Sequence, residues 1–249
     1  MQEGRLDSQE QTERLLAMGQ MAASLAHEIR NPLGSMELFC SLLKRDLTEE
    51  PDKRHLAEQI HKGIKTLDRI ISNCLQFSRD LSPKKTLCPD PHGLIEDSLE
   101  QAKAKTEQSG LRVEFEKTGR AKAYLDSYLL NQALLNLILN AIEACTEDNS
   151  EATEDSSQKS LVKIRSSIHD DQSWTVHVED NGPGIPGEHL SKIFDPFFST
   201  KRGGTGLGLA ISHSIVRAHG GQLFLEAGPR GGTKATIILT NIDREETGR

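Results

Sequence analysis

Aromatic residues are scarce in this chain, at 4% of 249 residues, so leucine, isoleucine, valine and alanine must fill its hydrophobic cores. The chain contains no run of 18 apolar residues, which argues against a membrane-spanning helix within it. Its polar N-terminus lacks the charged-then-apolar order of a signal peptide. We therefore expect a cytoplasmic protein with no membrane segment in this chain.

Excess basic charge and paired cysteines are also lacking. Lys and Arg number 30 against 37 Asp and Glu, for a formal net charge of -7, so no basic surface favours nucleic acid. The four cysteines are widely spaced and include no C-x-x-C pair, so we expect them to be reduced and without a metal or redox role. Any polyanionic ligand must therefore bind at a local site.

The first third of the sequence has the periodicity of two helices. Apolar residues recur every three or four positions from Leu15 to Leu43, and again from Leu56 to Phe77, on either side of the polar break LTEEPDK. This pattern predicts an antiparallel helical hairpin. Because two helices cannot cover both of their apolar stripes, we expect a homodimer that forms a four-helix bundle. A spacer coiled coil without chemistry would have the same periodicity.

The remainder of the chain mixes helical and strand-like segments. The proline-rich segment RDLSPKKTLCPDPHG reads as a linker or first edge strand, and it divides the chain into a hairpin domain, 1–82, and a second domain, 83–249. A helical pattern at 94–109 is followed by the strand pattern LRVEFE and a long helical pattern at 126–145. The strand patterns LVKIRSSI and WTVHVED come next, and a helix that ends at His219 precedes the last two, GQLFLEA and TKATIILT. This order predicts a two-layer α+β domain, with helices on one face of a mixed sheet.

The long helix predicted at 126–145 is apolar almost all round. Its polar exceptions, Gln132, Asn136, Asn140 and Glu143, recur at intervals of four, four and three residues and therefore form one stripe. Such a stripe lines a polar pocket or forms a hydrogen-bonded surface, and the helix alone does not decide between them.

Two further features favour the pocket. Asp180 ends the strand pattern WTVHVED on the same face as its apolar residues, so its carboxylate emerges from the core and needs a donor such as an adenine amine. An Asp that initiates a turn before Asn-Gly would give the same pattern. Gly204, Gly206 and Gly208 open a helix, where bare backbone N–H groups form an anion site suited to phosphates. The chain has neither a P-loop motif nor a strict dinucleotide fingerprint.

The segments NLILNAIEA, DNGPGIP, FDPFFSTK, GTGLGLAIS and the late GGT resemble, in order, the N, G1, F, G2 and G3 boxes of sensor histidine kinases. The resemblance extends from about Leu15 to Leu239 and implies a Bergerat-type domain that binds ATP and Mg²⁺. It implies a binding set of Asn136, Asn140, Asp180, Gly182, Gly184, Ile185, Phe198, Lys201, Gly204, Gly206, Leu207, Gly208 and Thr233.

The resemblance also implies roles for the main members of this set. Asp180 would bind the adenine amine, Asn140 would supply an oxygen to Mg²⁺, and Lys201 would reach the terminal phosphate, with 187–204 as a mobile lid. Asn136 stands where relatives that hydrolyse ATP through an activated water carry a glutamate, so transfer to another nucleophile fits better. Several kinases of the family carry a lysine at the position of Glu143, so no phosphate contact is carried over to this residue.

We expect the nucleophile at His27 in HEIRNP. The apolar residues on either side of it belong to the predicted apolar seam, the helical stripe that faces the other helices, so His27 faces solvent. HEIRNP also resembles the H-box of these kinases. A neutral imidazole has a free lone pair near neutral pH, and Glu28 at Nδ1 would leave Nε2 free for in-line attack. By the pattern H-E-x-x-[NT], Asn31 would orient a water that dephosphorylates a partner. Pro32 removes a helical hydrogen bond, so we expect a kink there.

We therefore predict a homodimeric sensor histidine kinase core with His27, Glu28 and Asn31 as catalytic residues and Asn140 as the metal ligand. It would phosphorylate His27 from MgATP, pass the phosphoryl group to an aspartate of a response-regulator receiver domain, and dephosphorylate that partner. The alternatives are a Bergerat-fold ATP hydrolase and a nucleotide-sensing dimeric scaffold without phosphotransfer.

Overall fold

The structure is a computed structural model that describes residues 29–78, 81–147, 160–201, 204–228, 231–240 and 242–243. The chain divides into two units, Met1–Asp80 and Leu81–Arg249, and the predicted boundary at 82/83 lies beside this division. Within the described ranges, no helix is both long enough and apolar enough to cross a bilayer.

The described part of the first unit consists of two helices, α1 (29–46) and α2 (Pro51–Ser78), as the periodicity predicted. They share a small core in which Leu33 and Cys40 of α1 pack with Ile64 of α2. Because these side chains come from both helices, they hold the hairpin together within one chain.

Much of the predicted apolar seam lies outside this core. In a single chain, Ile29, Met36 and Phe39 of α1 are 44%, 52% and 62% exposed, and Leu56 and Ile60 of α2 are 63% and 55% exposed. Contiguous apolar surface of this kind is rare on a monomer. Each helix therefore keeps an apolar stripe that the hairpin alone does not cover.

The described part of the second unit contains seven strands: β1 (Thr86–Cys88), β2 (Arg112–Thr118), β3 (Ala123–Leu125), β4 (Leu161–Ile168), β5 (Trp174–Asp180), β6 (Gln222–Ala227) and β7 (Thr233–Leu239). Five of them form a mixed sheet in the order β2-β4-β5-β7-β6, in which only β2 and β4 run parallel. The other two, β1 and β3, form a separate antiparallel pair. The proline-rich linker thus contributes a strand, but this strand is not part of the main sheet.

Among its described residues, the helices of this unit are α3 (His92–Ser109), α4 (Ser127–Glu147) and α5 (Gly208–Ala218), with a short 3-10 turn at Gly187–His189. Helix α4 packs between α3 and α5 and against β4 and β5. Strand residues on this side of the sheet, such as Val162, Val176 and Ile237, are almost fully buried. The predicted two-layer α+β arrangement is confirmed, and α4 is its central helix.

The opposite face of the sheet is polar and carries a row of alternating charges. The strand register aligns five charged residues across the sheet, one from each strand, and their signs alternate. In order from β2 to β6 they are Glu114, Lys163, Glu179, Lys234 and Glu226. Cross-strand neighbours of opposite charge stabilise strand pairing. These charge pairs therefore favour the observed strand register.

His177 lies on this polar face, between Arg165 of β4 and Thr236 of β7, and its Nδ1 is 2.9 Å from the Thr236 hydroxyl. Burial, and then the charges of Lys234 and Arg165, lower the pKa of the His177 imidazole, against the opposing effect of nearby carboxylates. The folded protein therefore disfavours the protonated ring.

We expect the free energy of unfolding to fall as the pH drops below about 6.5, the ordinary pKa of histidine. Below that value the unfolded chain binds a proton that folded His177 accepts only at lower pH, so acid favours unfolding. In His177→Gln, the free energy of unfolding should change less between about pH 7.5 and about pH 5.5 than in the wild type. Urea denaturation at both pH values measures the difference, and equal changes in the two proteins would contradict it.

Candidate nucleotide-binding site

Asp180 lies at the end of β5 on the helix-covered face and is only 8% exposed, as the strand parity predicted. Its Oδ1 accepts hydrogen bonds from the backbone N–H groups of Gly182 and Thr233, each at 3.0 Å. Its Oδ2 accepts no hydrogen bond from the described part of the chain. One carboxylate oxygen is thus fixed by the backbone, and the other can accept from a ligand.

Burial raises the pKa of the Asp180 carboxyl, even though its two N–H bonds and the charge of Lys201 favour the ionised form. A buried carboxylate that keeps an unused acceptor is incompletely compensated for the loss of water. A ligand that donates an N–H to Oδ2 would supply the missing hydrogen bond.

The loop before β7 reaches Asp180 through a glycine. Gly232 has φ +66°, and a Cβ at this position would lie 2.6 Å from Asp180 Oδ1. Both the positive φ and the close approach require glycine. The GGT motif therefore brings the Thr233 N–H within hydrogen-bonding distance of the carboxylate.

The other predicted binding positions fall in three segments of the second unit. They are Gly182, Gly184 and Ile185 in the segment after β5, Thr233 at the start of β7, and Gly204, Gly206, Leu207 and Gly208 at the start of α5.

The asparagines of α4 lie in different environments. Asn136 donates from Nδ2 to the Ser212 hydroxyl of α5 at 2.9 Å, and a Cβ on Gly208 would overlap its carboxamide. Asn140 is half-buried, and its side chain makes no hydrogen bond within the described ranges. Asn136 therefore joins α4 to α5, whereas the amide oxygen of Asn140 can still bind a cation.

Glu143, three residues further along α4, forms ion pairs with two lysines. Its Oε1 contacts Lys105 of α3, and its Oε2 lies 3.0 Å from Lys201 Nζ. Lys201 also donates to the backbone carbonyl of Asn140 at 3.4 Å. Burial raises the pKa of the Glu143 carboxyl, but the two lysines lower it by more, and the net shift is downward. We call Lys105, Glu143 and Lys201 the ion triad.

The segment predicted as a lid, 187–204, makes two aromatic contacts in its described part. The ring of Phe194 stacks on His213 of α5 with centroids 4.5 Å apart, and Phe198 meets His189 edge-on at 5.4 Å. One contact ties the segment to α5, and the other lies within the segment. Phe198 thus contacts the lid's own 3-10 turn.

Gly206 allows the backbone around Phe198 to approach the start of α5. It has φ +64°, and a Cβ there would lie 2.6 Å from the backbone N of Phe198. Its carbonyl accepts from the Phe197 N–H at 3.1 Å. Leu207 is completely buried, and α5 begins at Gly208, close to the predicted start. The residue just before the N-cap of α5 therefore lies directly against Phe197 and Phe198.

The predicted catalytic residues fall in the first unit. His27 and Glu28 lie outside the described residues. Asn31 lies on α1 and is exposed, as expected for the solvent face, and its carbonyl accepts from the Ser35 hydroxyl at 3.3 Å. Helix α1 continues through Pro32, and the kink at this residue stays a prediction.

Three residues of the site were not predicted. Ser212 lies four residues after Gly208, hence on the same face of α5, and that spacing could have indicated it. Gly232 belongs to the GGT motif, of which only Thr233 was assigned. No sequence pattern indicated Lys105, because α3 also carries Lys103 and the neighbouring residues do not distinguish the two lysines.

Two family profiles match the chain. The profile of the His Kinase A (phospho-acceptor) domain matches residues 17–83. The profile described as Histidine kinase-, DNA gyrase B-, and HSP90-like ATPase matches residues 125–242, which include Asp180, Asn140 and the segment around Gly206. The second unit therefore carries an ATPase-type nucleotide-binding domain.

The chain is similar to the signal transduction histidine-protein kinase AtoS of Escherichia coli (strain K12), with 32% identity over 234 residues that cover 92% of this chain and 36% of AtoS. It spans about half the length of the other curated relatives that it matches. The solved catalytic domain of histidine kinase ThkA is 31% identical, with a TM-score of 0.52, and the match covers 63% of this chain and 97% of that domain.

ThkA has also been solved in complex with the response regulator protein TrrA. In that structure ThkA is 26% identical to this chain, with a TM-score of 0.64, and the match covers 97% of this chain and 67% of the ThkA chain. Both regions of the chain thus have counterparts of known structure, in the same order. The chain belongs to the sensor histidine kinases of two-component systems.

Proposed function

We propose that this chain is a phosphotransfer core that moves the γ-phosphoryl group of ATP to His27 and then to an aspartate of a receiver domain. The buried Asp180 carboxylate is the observation that carries this proposal, because Oδ1 is fixed by two N–H groups and Oδ2 can still accept. An adenine amine is a donor of the right chemistry for that oxygen.

Mg²⁺ fits the residues at the phosphate end of the site. This cation prefers oxygen ligands and usually keeps several waters and substrate phosphates, so one amide oxygen, that of Asn140, is a sufficient protein ligand. Among the described residues, no group of three His, Cys, Asp or Glu side chains could hold a metal by itself. When bound, the ion would neutralise phosphate charge, and Lys201 would add a second positive charge beside Asn140.

In the first reaction, the Nε2 lone pair of His27 forms a bond to the γ-phosphorus while the bond to the bridging oxygen breaks and ADP leaves. The ring gains positive charge in this step. Glu28, by accepting the Nδ1–H, would stabilise that charge and hold the reactive tautomer. The kinase step therefore uses His27 and Glu28, and Asn31 acts in the dephosphorylation of the partner.

The chain is proposed to act as a homodimer. The apolar stripes that include Ile29, Met36 and Phe39 on α1 and Leu56 and Ile60 on α2 are uncovered in one chain. A second hairpin would cover them and form a four-helix bundle, which fits the phosphoacceptor-domain match at 17–83.

A response-regulator receiver domain is the proposed partner. The similar kinase ThkA has been solved in complex with a response regulator protein, TrrA. Exposed Asn31 lies one turn beyond His27 in the sequence pattern, where it could orient a water toward a phosphorylated aspartate of the receiver.

Asn31→Ala should reduce dephosphorylation of the receiver by about tenfold or more and leave autophosphorylation nearly unchanged. An alanine at this position cannot orient the attacking water, whereas His27 and its orienting glutamate are kept. Release of inorganic phosphate from a phosphorylated receiver measures the first rate, and Asn31→Thr, which keeps a polar side chain, is the matched control. Equal loss of both activities would assign Asn31 to the kinase step instead.

Incubation with γ-labelled ATP and Mg²⁺ tests the proposed function. We expect label on the protein that is acid-labile and base-stable and that passes to a cognate member of a panel of receiver domains. Free phosphate without labelled protein would support an ATP hydrolase, and no MgATP binding in calorimetry would support a scaffold. The hydrolase lacks a base in the described part of the site, because Asn136 is an amide bonded to Ser212 and Glu143 is held by two lysines.

A further inference from the structure

We propose that Lys105 and Glu143 are positioning residues that set Lys201 for the terminal phosphate and thereby determine the preference for a nucleoside triphosphate over a diphosphate. This role rests on the proposed function. Lys105 lies on α3, before the region matched by the ATPase profile, and Glu143 stands where several kinases of the family carry a lysine.

The geometry of the ion triad leaves Lys201 oriented but not saturated. Its ammonium has three N–H donors, of which one is bonded to Glu143 at 3.0 Å and one to the Asn140 carbonyl at 3.4 Å. No other described residue accepts from its third donor, which can therefore bind a ligand. Because Lys201 is bonded to the backbone of Asn140 itself, that donor lies beside the residue proposed to bind Mg²⁺.

The charge of the triad depends on Lys105. With both lysines present the triad carries one net positive charge, because each carboxylate oxygen of Glu143 faces its own lysine. Without Lys105, Glu143 and Lys201 would form a neutral pair, and the whole carboxylate charge would act on Lys201. The side chains of the triad are 26% to 39% exposed, so water screens these charges less than it screens fully exposed ones.

The three residues also come from separate elements. Lys105 belongs to α3, Glu143 to α4, and Lys201 to the segment predicted as a lid. Holding a flexible lysine in one place before the ligand arrives reduces the entropy lost on binding. Lys105 can therefore influence phosphate binding without touching the nucleotide.

Calorimetric titration with Mg²⁺ and AMPPNP, ADP or adenosine tests this role in the full chain. Lys105→Met should weaken AMPPNP binding by between about twofold and about fivefold, weaken ADP binding less, and leave adenosine binding unchanged. Lys103→Met is the matched control, since it removes the same charge from α3 at a lysine that pairs with Glu100 on the helix surface. Equal affinities in the two variants would overturn the proposal.

A double-mutant cycle tests the connection through Glu143. Glu143→Gln should weaken AMPPNP binding, and adding Lys105→Met should cause no further loss, because Lys105 acts only through that carboxylate. Tighter AMPPNP binding by Glu143→Gln would show that the carboxylate competes with phosphate for Lys201 even when Lys105 is present, and this would overturn the proposal.

Two further measurements separate the possible failures. Lys105→Arg keeps a cation at this position and should retain AMPPNP affinity. If Lys105→Met loses affinity for AMPPNP but keeps the wild-type thermal unfolding midpoint, misfolding does not explain the loss. If the wild type binds none of the three probes, the proposed function fails. If the wild type binds AMPPNP and Lys105→Met binds it equally well, only the role of the triad fails.

Discussion

His27→Gln is expected to leave the chain unlabelled by γ-labelled ATP while its affinity for AMPPNP stays that of the wild type. The side-chain nitrogen of glutamine shares its lone pair with the carbonyl group and cannot attack phosphorus, whereas a neutral imidazole can. The residues proposed to bind nucleotide all belong to the second unit, Leu81–Arg249, so a substitution in the first unit does not remove a binding contact. Autoradiography of the separated protein and calorimetry measure the two quantities.

His55→Gln is the matched control for this experiment. His55 is exposed on α2, where its Nε2 lies 3.2 Å from Gln59 Nε2, and no phosphotransfer role is assigned to it. This variant should be labelled like the wild type. A His27→Gln protein that still carries acid-labile label would show that another residue accepts the phosphoryl group.

The second unit was largely predictable because its periodicities are local. Alternation in WTVHVED placed Asp180 on the buried face, and the strand confirms this, since Trp174, Val176 and Val178 are buried on the same side. The polar stripe of α4 was likewise visible from a spacing of three and four. Where one face of an element is buried and the other is not, the sequence pattern is sufficient.

Contacts between elements far apart in the sequence could not be read in this way. Lys105 and Glu143 are 38 residues apart, and Asn136 and Ser212 are 76 residues apart. Such pairs depend on how the helices pack against each other, and the periodicity within a single element carries no information about that packing. The short strand β3 was missed for a related reason, because three residues are too few to show alternation and its partner, β1, lies across a whole helix.

The helical hairpin shows a different limit. Residues on both the internal and the outer stripe of α1 obey the same spacing of three and four, so the spacing does not say which stripe packs within the chain. In the structure Leu33 and Cys40 face α2, whereas Ile29 and Met36 remain exposed. On α1 the predicted stripe is therefore the exposed one, whereas on α2 the predicted residue Ile64 packs in the core of the hairpin.

Asp180→Asn is expected to weaken binding of adenine nucleotides by about a hundredfold, because a buried charged hydrogen bond is replaced by two donors that face each other. The oxygen of the new side chain can still accept from the N–H groups of Gly182 and Thr233, which would place its amide nitrogen where Oδ2 of Asp180 was. The local fold should thus be kept while the chemistry facing the base is reversed. Calorimetry with AMPPNP and adenosine measures the loss.

Because Asp180→Asn replaces an acceptor with a donor, the preference between two bases tests the proposal more directly than affinity for one base. An inosine nucleotide presents a carbonyl oxygen where adenosine presents an amine, so the amide hydrogens introduced by Asp180→Asn would suit inosine, and the ratio of adenosine to inosine affinity should fall in this variant. Asp126→Asn is the control, because Asp126 also accepts from two backbone N–H groups, those of Lys84 and Leu129, without a proposed ligand contact. If Asp180→Asn kept the wild-type ratio, the base would be recognised elsewhere, and the buried carboxylate would have only a structural role in holding the loop before β7.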